Sequence, residues 1–184
     1  MTDLPFPLTG STLIVGPSGA GKTTMTAEAL TSWLRDHDPC ETVVFEFGPE
    51  LARHDRLIGS RLDRFTSIPD DVWIGSVDAN APRSQGDTPT AVLALAKENA
   101  EQANRRFTAA PSDPKAVFVN DVTIAFQHES GELDSFLEYC SGADCVVINA
   151  YEGDEFGQND AVSRQERRVL QRLRTWADRV VELD

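Results

Sequence analysis

Ser11-Thr12-Leu13-Ile14-Val15 runs directly into Gly16-Pro17-Ser18-Gly19-Ala20-Gly21-Lys22-Thr23-Thr24, and residues 16–23 fulfil the pattern G-x-x-x-x-G-K-[ST] at every fixed position. Each residue type in that pattern has a physical reason. Glycines let consecutive backbone N–H groups curl around an anion, Lys22 adds a point charge for the outer phosphates, and the Thr23 hydroxyl can ligate Mg²⁺. The pattern requires a strand before it and a helix after it. The apolar run 11–15 supplies the first, and the amphipathic stretch Thr24-Met25-Thr26-Ala27-Glu28-Ala29-Leu30-Thr31-Ser32-Trp33-Leu34 supplies the second. A helix opening at about Gly21 aims its positive end at the same phosphates. Gly16, Pro17, Ser18, Gly19, Ala20, Gly21, Lys22, Thr23 and Thr24 are therefore the expected contacts of a nucleoside triphosphate.

Outward from this loop, apolar runs and helical patterns alternate along the chain, as in a mostly parallel sheet with crossover helices. The pattern predicts strands near 11–15, 42–47, 72–77, 116–120, 145–150 and 179–183. It predicts helices near 21–36, 49–58, 89–107, 132–140 and 161–176. Thr88-Pro89 reads as an N-cap followed by proline in the first turn, Gly48-Pro49 reads the same way, and 80–88 reads as a loop. The 184 residues, 40% of them hydrophobic, fit one α/β domain.

Ligands of open parallel sheets collect at the carboxyl ends of the strands, which selects the next candidates. Asp121 follows the run Ala116-Val117-Phe118-Val119-Asn120 and is expected to join Thr23 in holding Mg²⁺. Val122 and Thr123 come after it, so the group that activates the attacking water is sought elsewhere. The second strand carries Glu46 mid-strand, and Glu50 is expected in the first turn of the next helix. Asn149, at the end of Cys145-Val146-Val147-Ile148, has an amide suited to reading the terminal phosphate. Arg164, Arg167 and Arg168 lie in a helix with five arginines, and Arg53, Arg56, Arg61 and Arg64 form a second cluster. Their planar forks suit phosphates, and they equally suit pairing with surface acids.

The net charge of −13 combines 30 acidic residues with only three lysines, Lys22, Lys97 and Lys115. Such an acidic, lysine-poor surface is read as adaptation to a salty cytoplasm, similar to halophilic archaeal proteins. The alternative reading, a surface that repels acidic partners, argues against direct DNA binding, as does the acidic loop 151–160, because a polyanion needs basic patches. No apolar run of membrane-spanning length and no signal-peptide pattern is present, so a cytoplasmic location is expected. Cys40, Cys140 and Cys145 fall at no metal-ligand spacing.

The phosphate-binding loop, an apolar strand ending near glutamate, a strand closing at Asp121, a further strand closing on a polar residue and the terminal Ala177-Asp178-Arg179-Val180-Val181-Glu182-Leu183 together resemble the RecA/KaiC-type core of P-loop ATPases. A closing strand of the form A-D-x-V-h-x-L is frequent there. The resemblance implies a three-layer α/β/α domain over residues 1–184, with ATP and Mg²⁺ as ligands, and catalysis by Lys22 and Asp121 with Glu50 or Glu46 at the end of the second strand as base. It also implies sites at the boundaries of a homo-oligomer or with a partner protein. A regulatory or accessory ATPase of the KaiC-like kind fits best. The alternatives are a DNA-translocating or packaging motor similar to the FtsK/HerA group, a P-loop transferase such as a small-molecule kinase or corrinoid adenosyltransferase, and a nucleotide switch with little turnover. No N-K-x-D guanine-reading motif occurs, which favours adenine.

Overall fold

The side chains of Leu13 and Val15 belong to one apolar cluster and that of Ile14 to another, as alternation along a strand buried on both faces demands. The same alternation recurs at Val43, Val44 and Phe45 and at Val117, Phe118 and Val119. The computed structural model describes residues 3–53 and 56–184, of which 51–53 and 56–58 by backbone alone. Among these, the elements run β1 (Gly10–Gly16), α1 (Lys22–Trp33), β2 (Thr42–Glu46), β3 (Leu51–Arg53), β4 (Arg56–Ile58), β5 (Trp73–Ser76), α2 (Pro82–Gln85), α3 (Pro89–Ala109), β6 (Ala116–Asn120), α4 (Leu133–Ser141), β7 (Cys145–Tyr151), α5 (Ala161–Trp176) and β8 (Arg179–Glu182).

Six strands form one sheet in the order β5-β2-β6-β7-β1-β8, and every pairing is parallel. One face is covered by α1, which buries Ala27, Ala29, Leu30 and Trp33 together with Phe6, Leu62 and Val72. The other face carries α3, α4 and α5, whose Ala103, Phe136, Leu137, Val169, Leu170 and Leu173 pack on Leu13, Phe45, Val119 and Ile148. The domain is thus a three-layer α/β/α fold. No helix among the described residues is long and apolar enough to cross a membrane.

Two predictions about local structure are corrected. Residues 49–58 do not form a helix. They hold the two short antiparallel strands β3 and β4, with Leu51 opposite Ile58 and Arg53 opposite Arg56. His54 and Asp55, between them, lie outside the described residues. Gly48-Pro49 accordingly caps nothing. The physical reason lies at the hairpin's return: Gly59 has φ +80°, and a Cβ there would stand 1.8 Å from the Pro49 carbonyl oxygen. The chain closes on itself at a spacing a helix cannot reach, so tertiary closure overrides helix propensity. Second, the predicted loop 80–88 contains the short helix α2. Thr88 does cap α3, accepting a hydrogen bond from Ala91 N at 3.1 Å, with Pro89 in the first turn.

The terminal A-D-x-V pattern has a structural cause in β8. Asp178 accepts from Ser11 N at 2.8 Å and from Ser11 Oγ at 3.0 Å, which seats β8 against the start of β1. At the other end Leu183 N donates to Val15 O at 2.8 Å, so close that a Cβ on Gly16 would meet Leu183 O at 2.6 Å. Gly16→Ala is expected to destabilise the domain by roughly 1–3 kcal/mol through overpacking. Its thermal midpoint should drop by several degrees, and an unchanged midpoint would contradict this packing.

Candidate functional site

The loop 17–21 leaves the end of β1 and turns into α1 through two glycines with positive φ, Gly19 at 80° and Gly21 at 94°. A Cβ built on either meets nothing within 4 Å. The glycines are required by backbone conformation, and the space above them is open to a ligand. Gly21 caps α1 without a side chain, so the first N–H groups of the helix face the loop. Lys22 reaches back and donates to Pro17 O at 2.6 Å, bracing the loop from inside. Burial holds its pKa below the ordinary value, although Asp121 and Glu155 pull it upward.

Sheet order decides what stands opposite. Because β7 lies between β1 and β6, the carboxyl ends of β1, β7, β6 and β2 follow one another along a single edge. Glu46 is in register with Asn120, and Asn149 lies one residue beyond Ile148, the partner of Val119. Side chains at these ends form one network. Thr23 Oγ1 donates to Asn120 Oδ1 at 3.2 Å. Asn120 Nδ2 donates to Glu46 Oε1 at 2.6 Å and to Ser60 O at 2.7 Å. Asn149 Nδ2 donates to Asn120 Oδ1 at 3.0 Å and to Thr26 Oγ1 at 2.8 Å, while Asn149 Oδ1 accepts from Asp121 N at 2.8 Å. Both amide orientations are fixed by this pattern, since a flipped Asn120 would turn its oxygen toward two acceptors.

The residue that faces the Thr23 hydroxyl from the end of β6 is therefore Asn120, and the carboxylate comes one position later. Asp121 sits just past the strand with φ 54° and ψ 54°, a left-handed conformation uncommon outside glycine, asparagine and aspartate. A Cβ on Gly48 would lie 3.0 Å from Asp121 Oδ2, which places that carboxyl over the end of β2. Desolvation raises its pKa to about 6, against the pull of Lys22 and with a further push from Glu166. The sequence pattern predicts a strand closing at Asp121. The structure puts an amide at the strand end and Asp121 in the following place.

Glu46 closes β2, at the strand end rather than within the strand, and is buried. Three donors converge on its carboxylate: Asn120 Nδ2, Gly48 N at 3.3 Å and Leu62 N at 2.8 Å. Burial nevertheless outweighs them and raises its pKa to about 7. Glu50 precedes β3 in an extended segment instead of opening a helix. It is held by Arg64 Nε at 2.5 Å and Arg61 N at 3.3 Å. The hydrogen bond from Arg64 holds its pKa below the ordinary carboxylate value, and its side chain does not line the cleft.

The cleft over the loop has a volume of about 270 Å³. It is lined by Gly19, Gly21, Lys22, Thr23 and Thr24 from the loop and α1, by Asp121, Thr123, Gln127 and Glu166, and by the apolar Pro49, Phe65, Pro82 and Ile124. Arg83, from α2, also lines it. Of the predicted arginines, Arg164 donates to the Asn159 carbonyl, Arg61 to Ser76 Oγ at 2.8 Å and Arg64 to Glu50, and none of these, nor Arg167 or Arg168, lines the cleft. The side chains of Arg53 and Arg56 lie outside those described. Sequence reasoning missed Asn120, Arg83, Gln127 and Glu166. Only Asn120 carried a signal, as the fifth residue of a strand whose apolar run ends at Val119. No cluster of three or more His, Cys, Asp or Glu side chains among the described residues is placed to hold a metal ion.

No protein-family model matches the sequence, and no curated protein matches it. Among solved structures the chain is similar to the Pif1 helicase from Candida albicans, at 12% identity and a TM-score of 0.41, over 95% of this chain and 36% of that one. The chain therefore spans about a third of the length of that protein.

Glu46 offers a direct check on the network. Its pKa is raised on folding, so its contribution to stability is fully present below the ordinary value of 4.5 and is lost as pH rises through about 7. Glu46→Gln removes this dependence. The native chain's stability relative to Glu46→Gln should thus fall between pH 5 and pH 8, read as the difference in thermal midpoints. A difference that stays constant over that range would contradict the assignment.

Proposed function

We propose that the chain binds ATP with Mg²⁺ in the cleft over residues 16–24 and hydrolyses it. The observation that carries this reading is the juxtaposition of the glycine-turned loop, Lys22 and Thr23 with the polar strand ends Asn120, Asp121 and Asn149. The residues fit the ligand. Gly19 and Gly21 leave open space where phosphates would lie, and the start of α1 supplies N–H donors. A bound Mg²⁺ would neutralise charge on the phosphates, and Thr23 with Asn120 would hold it directly or through water, since Mg²⁺ keeps several waters and needs few protein ligands.

Within that arrangement Lys22 exchanges its bond to Pro17 O for the outer phosphates. Asn149 fixes the backbone of Asp121 and the oxygen of Asn120, and so sets where both stand relative to Thr23. Asp121, raised to about 6, is ionised at neutral pH and still basic enough to accept a proton from water. That is the balance a general base requires. Glu46 supports it through Asn120, with its own carboxylate held by three donors. Glu50, committed to Arg64, contributes to the hairpin instead. A RecA/KaiC-like accessory ATPase adapted to high salt accommodates these roles.

The apolar lining by Pro49, Phe65, Pro82 and Ile124 favours a second reading, in which the terminal phosphoryl group passes to an organic acceptor; Phe65 is 47% exposed there. Phosphate release from ATP at high salt, with and without DNA, separates the readings. The native chain should release inorganic phosphate without DNA. Lys22→Ala should lower turnover by roughly 10²-fold or more through loss of phosphate stabilisation, and Asp121→Asn by roughly 10²-fold through loss of the base. Equal turnover in native and Lys22→Ala chains would overturn the hydrolase reading, and strong stimulation by DNA would favour a motor.

A further inference from the structure

Arg83 is the cationic side chain that joins Lys22 in lining the cleft. It sits on α2, in the connection between β5 and α3, far from the phosphate loop in sequence. That connection is anchored rather than loose. Asn80 N donates to Asn99 Oδ1 at 2.7 Å, and Asn99 Nδ2 returns to Asn80 O at 2.9 Å, with Asn99 fully buried in α3. The guanidinium then reaches α5. Nη1 donates to Ser163 Oγ at 2.9 Å and Nη2 to Glu166 Oε1 at 3.0 Å, with side-chain exposures of 13% for Arg83 and 8% for Glu166. The Tyr151 and Phe156 rings lie 5.9 and 5.4 Å away, so aromatic faces set the height of the fork.

Two features mark this as more than a structural ion pair. A guanidinium has five N–H donors, and these contacts occupy two of them. Gln127 supplies the second feature. Its Nε2 donates to the other Glu166 oxygen at 2.6 Å, while its Oε1, in a side chain 1% exposed, is the one buried side-chain oxygen among the described residues without a partner. A flipped amide would set that oxygen against the Glu166 carboxylate, so the arrangement is forced. That oxygen is an acceptor and takes a donor, a water or a ligand hydroxyl, whereas an anion needs the free N–H groups of Arg83, so the bracket is under-satisfied in both senses.

We propose that Arg83 is a phosphate ligand acting within its own chain, held ready by Glu166 and Gln127, and that it contacts the terminal phosphate of the bound triphosphate. The inference rests on the nucleotide reading of the cleft. The terminal phosphate is selected because Arg83 and Lys22, the residue that the nucleotide reading sets on the outer phosphates, approach the same Tyr151 ring, at 5.9 and 6.0 Å from its centroid. The planar fork matches two phosphate oxygens at once, as a lysine cannot.

Equilibrium binding of ATP and of ADP, each with Mg²⁺, tests this in the native chain, Arg83→Lys, Arg83→Ala and the double variant Arg83→Ala/Glu166→Gln. The double variant removes both charges, so it stays informative where Arg83→Ala alone leaves Glu166 buried without its cation. Arg83→Ala and the double variant should weaken ATP binding roughly ten- to hundred-fold, the loss of a charge-assisted hydrogen bond, and leave ADP binding within about twofold. Arg83→Lys should fall between native and Ala for ATP. Equal weakening for both nucleotides, or none for either, would overturn the role of Arg83 while the cleft reading stands. A native chain that binds neither nucleotide would overturn the cleft reading itself.

Discussion

The side-chain amide of Asn120 is the joint on which the cleft is assembled. It lies in the interior and makes four hydrogen bonds, to Thr23 of the phosphate loop's helix, to Glu46 at the end of β2, to the Ser60 carbonyl after the hairpin and to Asn149 on β7. A buried amide left unpaired costs about 1–3 kcal/mol per group, so each of these elements is held at the position that satisfies it. Two of the contacts reach neighbouring strands and one reaches across the sheet edge to α1. Displacing any of them strands a polar group. The phosphate loop is therefore referenced to the sheet through a polar contact as well as through packing of α1.

An amide there, in place of a carboxylate, has an electrostatic consequence. Glu46, Asp121 and Glu166 already bring acid to this end of the sheet, and desolvation raises the pKa of Glu46 and of Asp121. A fourth carboxylate at position 120 would sit beside Glu46 and repel it unless one of the two held a proton. Asparagine instead donates to Glu46 and accepts from Thr23, so charge is kept for the position that follows. Asp121 then follows in a left-handed backbone that Asn149 pins through the Asp121 amide, near enough for Lys22 to draw its pKa down.

Much of this was legible in the residues. The loop 16–23 dictated a strand before it and a helix after it, and alternation of apolar runs dictated the parallel sheet. What escaped the sequence shares one cause, long-range closure. Residues 49–58 have a helical composition, yet Gly59 returning onto Pro49 and Ser60 onto Asn120 make them a hairpin, which also removes Glu50 from the phosphate edge. Arg83 reaches the cleft only because Asn80 and Asn99 lock its turn, and Glu166 meets it from α5, 83 residues on. No local pattern encodes those meetings. The placement of Asp121 was nearer to hand: a one-residue shift at the end of β6 separates the amide that meets Thr23 from the carboxylate that follows it.

Amide hydrogen exchange of the native chain with and without Mg²⁺-ATP tests most directly whether triphosphate occupies the space that Asn120 organises. Slower exchange is expected together over 17–24 and 120–127, with α4 at 133–141 unchanged as an internal reference. Unaltered exchange across 17–24 and 120–127, or protection confined to segments away from the cleft, would contradict the account.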